Sequence, residues 1–336
     1  TGVTYNSTKT NASMANYESG YLTCKDFVIS TLLAGEDFND AVPIETESII
    51  FTDKIAPSGV AVTDLSAEKN NGIVGWLDGT TYYVSTQVSG KKIKANSDCH
   101  TLLSNWNYNE GDEEYHNYKS FDVKNLDVRN VTNMAEMFEG TEVTSLDLSS
   151  WETKKVIDMN SMFSGCGSLT TLDVSRFDTS NVTNMSSMFS GCIQLSSLNV
   201  SGFDTSNVTD MSYMFYNCKN LTTIYVGDKW TTSKVRFDSY IFNGCSAIMG
   251  QSGVAYDSTK TNVSMANYET GYLTYKAAPQ SANNTAKAVV MQSPKIAPVT
   301  LSDEKQQEKV SIVEKALEIL GVQSSGDENQ PVMYAD

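Results

Sequence analysis

Basic residues are scarce in this sequence: 24 Lys and Arg stand against 40 Asp and Glu in 336 residues, a formal net charge of −16 and a pI of about 4.5. Phosphate backbones are gripped by clustered Lys and Arg, so nucleic acid is excluded as a partner and an anionic membrane surface is disfavoured. No run of eighteen apolar residues occurs, so no segment reads as a membrane-inserted helix. Histidine is almost missing, with two in the chain. No Ser/His/Asp or Cys/His set, glycine-rich phosphate loop or His-Glu-x-x-His helix can be assembled. The chain is therefore expected not to be an enzyme and to need no cofactor or metal. Neither an initiator Met nor a signal-peptide pattern precedes Thr1, so the natural start is expected upstream.

What is present points to turns and strands. Hydrophobic residues make up 40% and charged residues 19%, enough for a core, while 21 Gly and abundant Ser, Thr and Asn suit a β-rich, turn-rich extracellular protein. The length exceeds that of one ordinary domain, so several units or one elongated repeat array are expected.

The sequence repeats itself at two levels. The strings NVTNMAEMFEG, VIDMNSMFSGC, NVTNMSSMFSGC and NVTDMSYMFYNC place Phe138, Phe163, Phe189 and Phe215 at spacings of 25, 26 and 26, and Phe242 of SYIFNGC follows after 27. Each repeat also carries Leu-x-x-Leu-x-Val/Leu-x-x-Phe/Trp, as in Leu169, Leu172, Val174 and Phe177. Alternation at Leu172 and Val174 predicts a short strand with one buried face. Asp-Thr-Ser-Asn-Val-Thr then supplies turn formers, with Thr183 a candidate cap. Met185, Met188 and Phe189 follow at i, i+3 and i+4, which predicts a helical turn. The fold expected is an α/β repeat: a leucine-rich-repeat-like solenoid of about 25–26-residue rungs, each a short strand, turn and short helix, whose stacked neighbours supply the core.

At the larger scale, residues 252–276 match residues 1–25 except at positions 1, 4, 6, 12, 19 and 24, so 19 of 25 are identical. A second echo joins Lys54-Ile55-Ala56-Pro57 to Lys295-Ile296-Ala297-Pro298. The organisation expected is the C-terminal cap of a preceding array at 1–25 and an inter-module linker at 26–60. A β-rich N-terminal cap at 61–119 follows, with a hairpin at the Asp78-Gly79 turn. The solenoid occupies 120–250 and its C-terminal cap 251–276. A linker at 277–301, an amphipathic helix at 302–321 with Val310, Val313, Leu317 and Leu320 in one stripe, and a flexible tail at 322–336 complete the chain.

The strings LTTLDVSRFDTSNVTNMSSMFSGC and LSSLNVSGFDTSNVTDMSYMFYNC resemble BspA-like leucine-rich repeat surface proteins of bacteria and mycoplasmas, over roughly residues 75–276. The resemblance implies display at the bacterial cell surface or in the extracellular space. It also implies adhesion to, or recognition of, a host or microbial surface protein or glycan, and no catalytic residues.

If the strands line one face, Asp122, Asp147, Asp173, Asn199 and Tyr225 form an outward column beside Ser120, Ser145, Thr171, Ser197 and Thr223. These five are the candidate ligand-binding residues. Strands about 4.8 Å apart bring the carboxylates into mutual repulsion, which a cation or basic partner would relieve; a solvated face with screened charges explains the same column. Cys166, Cys192, Cys218 and Cys245 recur at one repeat position. Buried thiols filling a tight return are the simpler reading, and disulfides between rungs the other. Cys99, His100 and His116 read as incidental. The Met and Phe stripe reads as core, and the sequons at Asn181 and Asn207 are explained by turn chemistry. Two functions stay open: a recognition module, and a structural spacer of tandem modules projecting other domains. An enzyme domain encoded elsewhere in the gene is a third possibility.

Overall fold

The computed structural model describes residues 30–105 and 116–278, all within one unit of the chain, Thr1–Pro279. The expected cap at 1–25, linker at 277–301, helix at 302–321 and tail at 322–336 lie wholly or almost wholly outside the described residues.

The chain enters through a seven-residue helix, α1 (Gly35–Ala41), with Glu36 and Asp37 in its first turn. A helix this short is marginal alone. It is held by packing: Phe38 is fully buried and its ring lies 6.0 Å from that of Phe51. Asn39 donates from Nδ2 to the Ser104 carbonyl and accepts from the Tyr118 hydroxyl. Gly35 allows the close approach, since a Cβ there would stand 1.7 Å from the His100 carbonyl oxygen.

Strands β1 (Ser48–Thr52), β2 (Thr63–Asp64), β3 (Val74–Asp78), β4 (Thr81–Ser85) and β6 (Ser120–Asp122) form a mixed sheet in the order β2-β3-β4-β1-β6. β3 and β4 are the antiparallel hairpin, with Gly79 at φ 61° in its turn, while β1 pairs parallel with both β4 and β6. β5 (Ile93–Lys94) pairs parallel with β7 (Leu126–Asp127). β8 (Ser197–Val200), β9 (Thr223–Val226) and β10 (Thr274–Tyr275) make a parallel three-stranded sheet in the order β10-β9-β8.

The expected α/β leucine-rich-repeat-like solenoid with a helix in each rung is corrected by these elements. Among the described residues the structure is strands in one mixed and two parallel sheets, turns and one 3-10 turn (Val263–Met265), and its one α-helix, α1, lies outside the repeats. Each Met-x-x-Met-Phe string opens three overlapping β-turns. In the first, the Met188 N–H donates to the Met185 carbonyl and the third residue, Ser187, has φ 55°; Ser190 then donates to Ser187; in the last, Cys192 donates to Phe189 and Gly191 has φ 72°. Positive φ at the third position is the geometry of a type II turn, and a helix cannot run through it. Glu136, Ser161, Tyr213 and Tyr240 repeat the left-handed residue at φ 57°, 52°, 58° and 56°.

Alternate backbone N–H groups close these turns, and those between them pair with the next repeat. The N–H groups of Met185, Ser187, Phe189 and Gly191 donate to the carbonyls of Asp210, Ser212, Met214 and Tyr216, at 2.7–3.0 Å. The same four bonds join 133–140 to 158–165, 158–165 to 184–191, and 210–217 to 237–243. They also join 98–105 to 133–140, so the ladder begins one segment before the sequence motif does. In that first segment Cys99 and Leu102 stand where Met134 and Met137 stand in the next.

Stacking in register turns each repeated letter into a column. The rings of Phe138, Phe163, Phe189 and Phe215 lie 5.6, 5.8 and 5.8 Å apart and within 6° of parallel, and Phe242 continues the stack at 5.6 Å. All five are fully buried, each worth roughly 2–3 kcal/mol of transfer free energy. Tyr118 and Phe121 extend the aromatic line at one end, and Tyr272 meets Phe242 edge-on at the other. Tyr272, Leu273, Met265 and Ala266 bring the segment after residue 250 down over the last repeat, where the Trp230 indole donates to the Ala266 carbonyl.

Candidate functional site

The five candidate residues occupy neighbouring strands and strand-like stretches, in one direction along the ladder. Asp122 closes β6, whose partner is β1; Asp173 bridges to Asn199 of β8, and Asn199 stands opposite Tyr225 of β9, which stands opposite Thr274 of β10. Asp147 lies in a stretch without strand pairing, where Lys124 reaches it at 3.6 Å. Asp122, Asp147 and Asp173 are exposed, while Asn199 and Tyr225 are half-buried. At the far end the Lys276 ammonium sits 4.9 Å above the Tyr225 ring, and the Tyr275 hydroxyl donates to Asp228 at 2.7 Å.

Four of these side chains do local work. Asp122, Asp147, Asp173 and Asn199 each accept, through Oδ1, the backbone N–H two residues on, from Lys124, Ser149, Ser175 and Ser201. This is the short-range bond that makes Asp and Asn turn formers. Hydrogen bonds from Ser149 and from Ser175 hold the Asp147 and Asp173 carboxyls below the usual carboxylate range. The column is thus anionic with one oxygen of each carboxylate committed to the turn. At Asp147 the other oxygen meets Lys124.

The cysteines are core. Cys166, Cys192, Cys218 and Cys245 are free and fully buried, and each thiol donates to the carbonyl of the Phe one repeat back, Phe138, Phe163, Phe189 and Phe215, at 2.8–3.2 Å. Burial pushes the Cys166 thiol up to about 12 and the Cys192 thiol well above its ordinary value, so neither offers a thiolate nucleophile. Cys99 is buried as well, and burial raises its thiol too.

The residues read as incidental have partners. His116 stacks on Tyr118 at 4.7 Å and places Nε2 3.1 Å from the Asn39 carbonyl. His100 lies 3.5 Å from Glu136, a contact that raises the imidazole pKa. Beside them Glu139, half-buried and next to the Glu136 carboxylate, is pushed up to about 7, first by burial and then by that repulsion. Among the described residues no group of three or more His, Cys, Asp or Glu could hold a metal ion.

A second surface feature departs from the repeat. Where 185–192 reads MSSMFSGC, 211–218 reads MSYMFYNC. Tyr213 and Tyr216 replace serines, Asn217 replaces a glycine while keeping φ at 59°, and Tyr240 in the next segment repeats the first change. The three tyrosines are 39%, 38% and 51% exposed. Their rings touch, with Tyr213 5.6 Å from Tyr216 at 72° and 5.4 Å from Tyr240 at 32°. The cluster departs from an otherwise uniform repeat, and the signal for it is Ser-to-Tyr at one position in two consecutive segments.

A family model described as Mycoplasma protein of unknown function, DUF285, matches residues 109–224 and 144–254, two overlapping stretches that cover the ladder from its second segment onward. The match covers under half of the chain and is a similarity to that family. No curated protein and no solved structure matches the chain.

Proposed function

We propose that this chain is a non-catalytic recognition module of a bacterial surface protein. It contacts a host or microbial surface protein or glycan through the face carrying Asp122, Asp147, Asp173, Asn199 and Tyr225. The observation that supports this reading is the column itself: parallel stacking turns one position of a repeat into an ordered row of outward polar groups, a geometry suited to extended partners. The resemblance of the repeat strings to BspA-like surface proteins supports the location. No helix among the described residues is long and apolar enough to cross a membrane.

The reading is tested with Asp147→Asn, Asp173→Asn and Tyr225→Thr together, because Asn keeps the bond to the N–H two residues on while removing the charge. Retention of chain-coated beads on cultured epithelial monolayers is expected to fall at least tenfold in the triple variant, with the thermal midpoint within a few degrees of the parent's. Equal retention sinks the face as the contact surface.

The spacer reading rests on the near-copy of 252–276 at residues 1–25. The six differing positions correspond to Ser252, Ala255, Asp257, Val263, Thr270 and Tyr275, none of them buried, while the buried Met265, Ala266, Gly271, Tyr272 and Leu273 are all retained. Selection on a packing surface leaves that pattern. A spacer loses nothing in the triple variant, so the same experiment separates the two.

A further inference from the structure

The tyrosine cluster is a local exception to a repeat that supplies its own control. The segment 184–191 shows that Ser187, Ser190 and Gly191 suffice for its turns and for all four ladder bonds. The segment 210–217 makes the same bonds with Tyr213, Tyr216 and Asn217. Folding therefore does not require the change. Nor does the change serve the core, since the three side chains stay 38–51% exposed.

The chemistry of the patch is specific. Its rings meet at two angles, one pair tilted by 32° and the other near-perpendicular at 72°, so they present a floor and a wall. The three phenol hydroxyls and the side-chain amides of Asn217 and Asn243 make no hydrogen bond within the described residues. Asn243 occupies in its segment the place of Tyr216, and its carbonyl accepts from the Asn217 N–H. An aromatic body with a polar tip, with two side-chain amides on the same two segments, fits a ligand that is apolar on its faces and hydroxylated round its edge. That is a pyranose ring.

Size decides between a sugar and a protein. The patch spans two ladder segments, about 10 Å at the strand spacing, whereas a stable protein interface buries roughly 800 Å² on each partner. Along the ladder the same two columns carry Ser161, Ser164, Ser187 and Ser190, without the apolar core a protein interface needs. Charge decides the kind of sugar, since a chain of net charge −16 repels acidic glycans.

We propose that Tyr213, Tyr216 and Tyr240, with Asn217 and Asn243, form a binding site for a neutral glycan, separate from the strand face discussed above and independent of it. The test uses the full chain and four neutral probes, cellohexaose, maltohexaose, mannohexaose and chitohexaose, by titration calorimetry. At least one is expected to bind, and Tyr213→Ser with Tyr216→Ser, which restores the residues of the preceding repeat, is expected to lose at least tenfold in affinity. Tyr240→Ser serves as a second variant should the first not fold. The Asp147→Asn, Asp173→Asn, Tyr225→Thr protein is expected to bind as the parent does, which separates failure of this site from failure of the strand face. Binding of none of the four probes, or unchanged binding in the folded tyrosine variants, overturns the proposal.

Discussion

At the scale of single residues, the left-handed position shapes both the fold and its charge. A non-glycine residue there is tolerated because its N–H is fixed on the next segment, 2.8 Å from the partner carbonyl at Glu136, Ser187 and Tyr213 alike, and because methionines on both sides are buried. At Glu136 this backbone sets a carboxylate against Glu139. The Glu139 carboxyl rises from 4.5 to about 7, so the folded chain binds that proton more tightly than the unfolded chain. Its contribution to stability is fully present below about 4.5 and is lost as pH climbs through about 7. His100, raised above 6.5 chiefly by its hydrogen bond to Glu136, runs the same way and loses its contribution as pH rises. His116, lowered by burial, opposes them: its contribution is present above 6.5 and is lost as pH falls through its depressed value. Glu139→Gln removes the first of these. Urea midpoints measured from roughly pH 5 to pH 8 are expected to fall less in the variant than in the parent, and an unchanged slope would rule out Glu139 as its source.

At the scale of the repeating element, what holds one segment to the next includes a row that no strand or helix pattern announces. Asp98, Asn133, Asp158, Asn184 and Asp210 bridge in sequence, each parallel to the next, and each accepts through Oδ1 the N–H two residues on. Charged and neutral side chains alternate down this row, so no two carboxylates are adjacent. The Asn184 amide also donates to Asp158 at 3.3 Å. Asn184→Asp keeps the turn bond, loses that donor and sets three carboxylates in succession, so it is expected to cost about 1–2 kcal/mol. Salt is expected to recover part of the loss; a loss that 1 M salt leaves unchanged would point to packing instead. This element also shows where sequence reading reached its limit. Phe138 to Phe242 set the period and named the core columns correctly, because burial is written in apolar letters. The expected helix is replaced by turns because Met185, Met188 and Phe189 suit one face of a helix and one face of successive turns equally. Gly191 advertises its positive φ, but Ser187 does not. The segment at 98–105 escaped because Cys99, Leu102 and Leu103 preserve the role of Met, Met and Phe without the letters.

At the scale of the molecule, a ladder with columns must end, and each end is a different solution to the same exposure. The aromatic column runs from His116 through Tyr118, Phe121 and the five phenylalanines to Tyr272, with ring separations of 4.7–5.8 Å along that line. At the first end α1 covers it through Asn39, which holds Tyr118 and His116. At the last end one ring covers Phe242, and Tyr272 is itself pinned through its hydroxyl, which accepts from the Asp257 N–H and faces the Asp257 carbonyl. The site residues were legible to differing depth for a related reason. The strand-face column follows from alternation, whereas the tyrosine cluster becomes visible only against neighbouring repeats. The end cover makes the sharper test of the architecture. Tyr272→Ala opens the column to water and orphans the Asp257 N–H, so it is expected to cost about 3–5 kcal/mol in urea unfolding. Tyr275→Ala, three residues on and 39% exposed, is expected to cost under about 1 kcal/mol. Similar losses in the two variants would mean that the terminal strand β10, and not the ring on Phe242, closes this end.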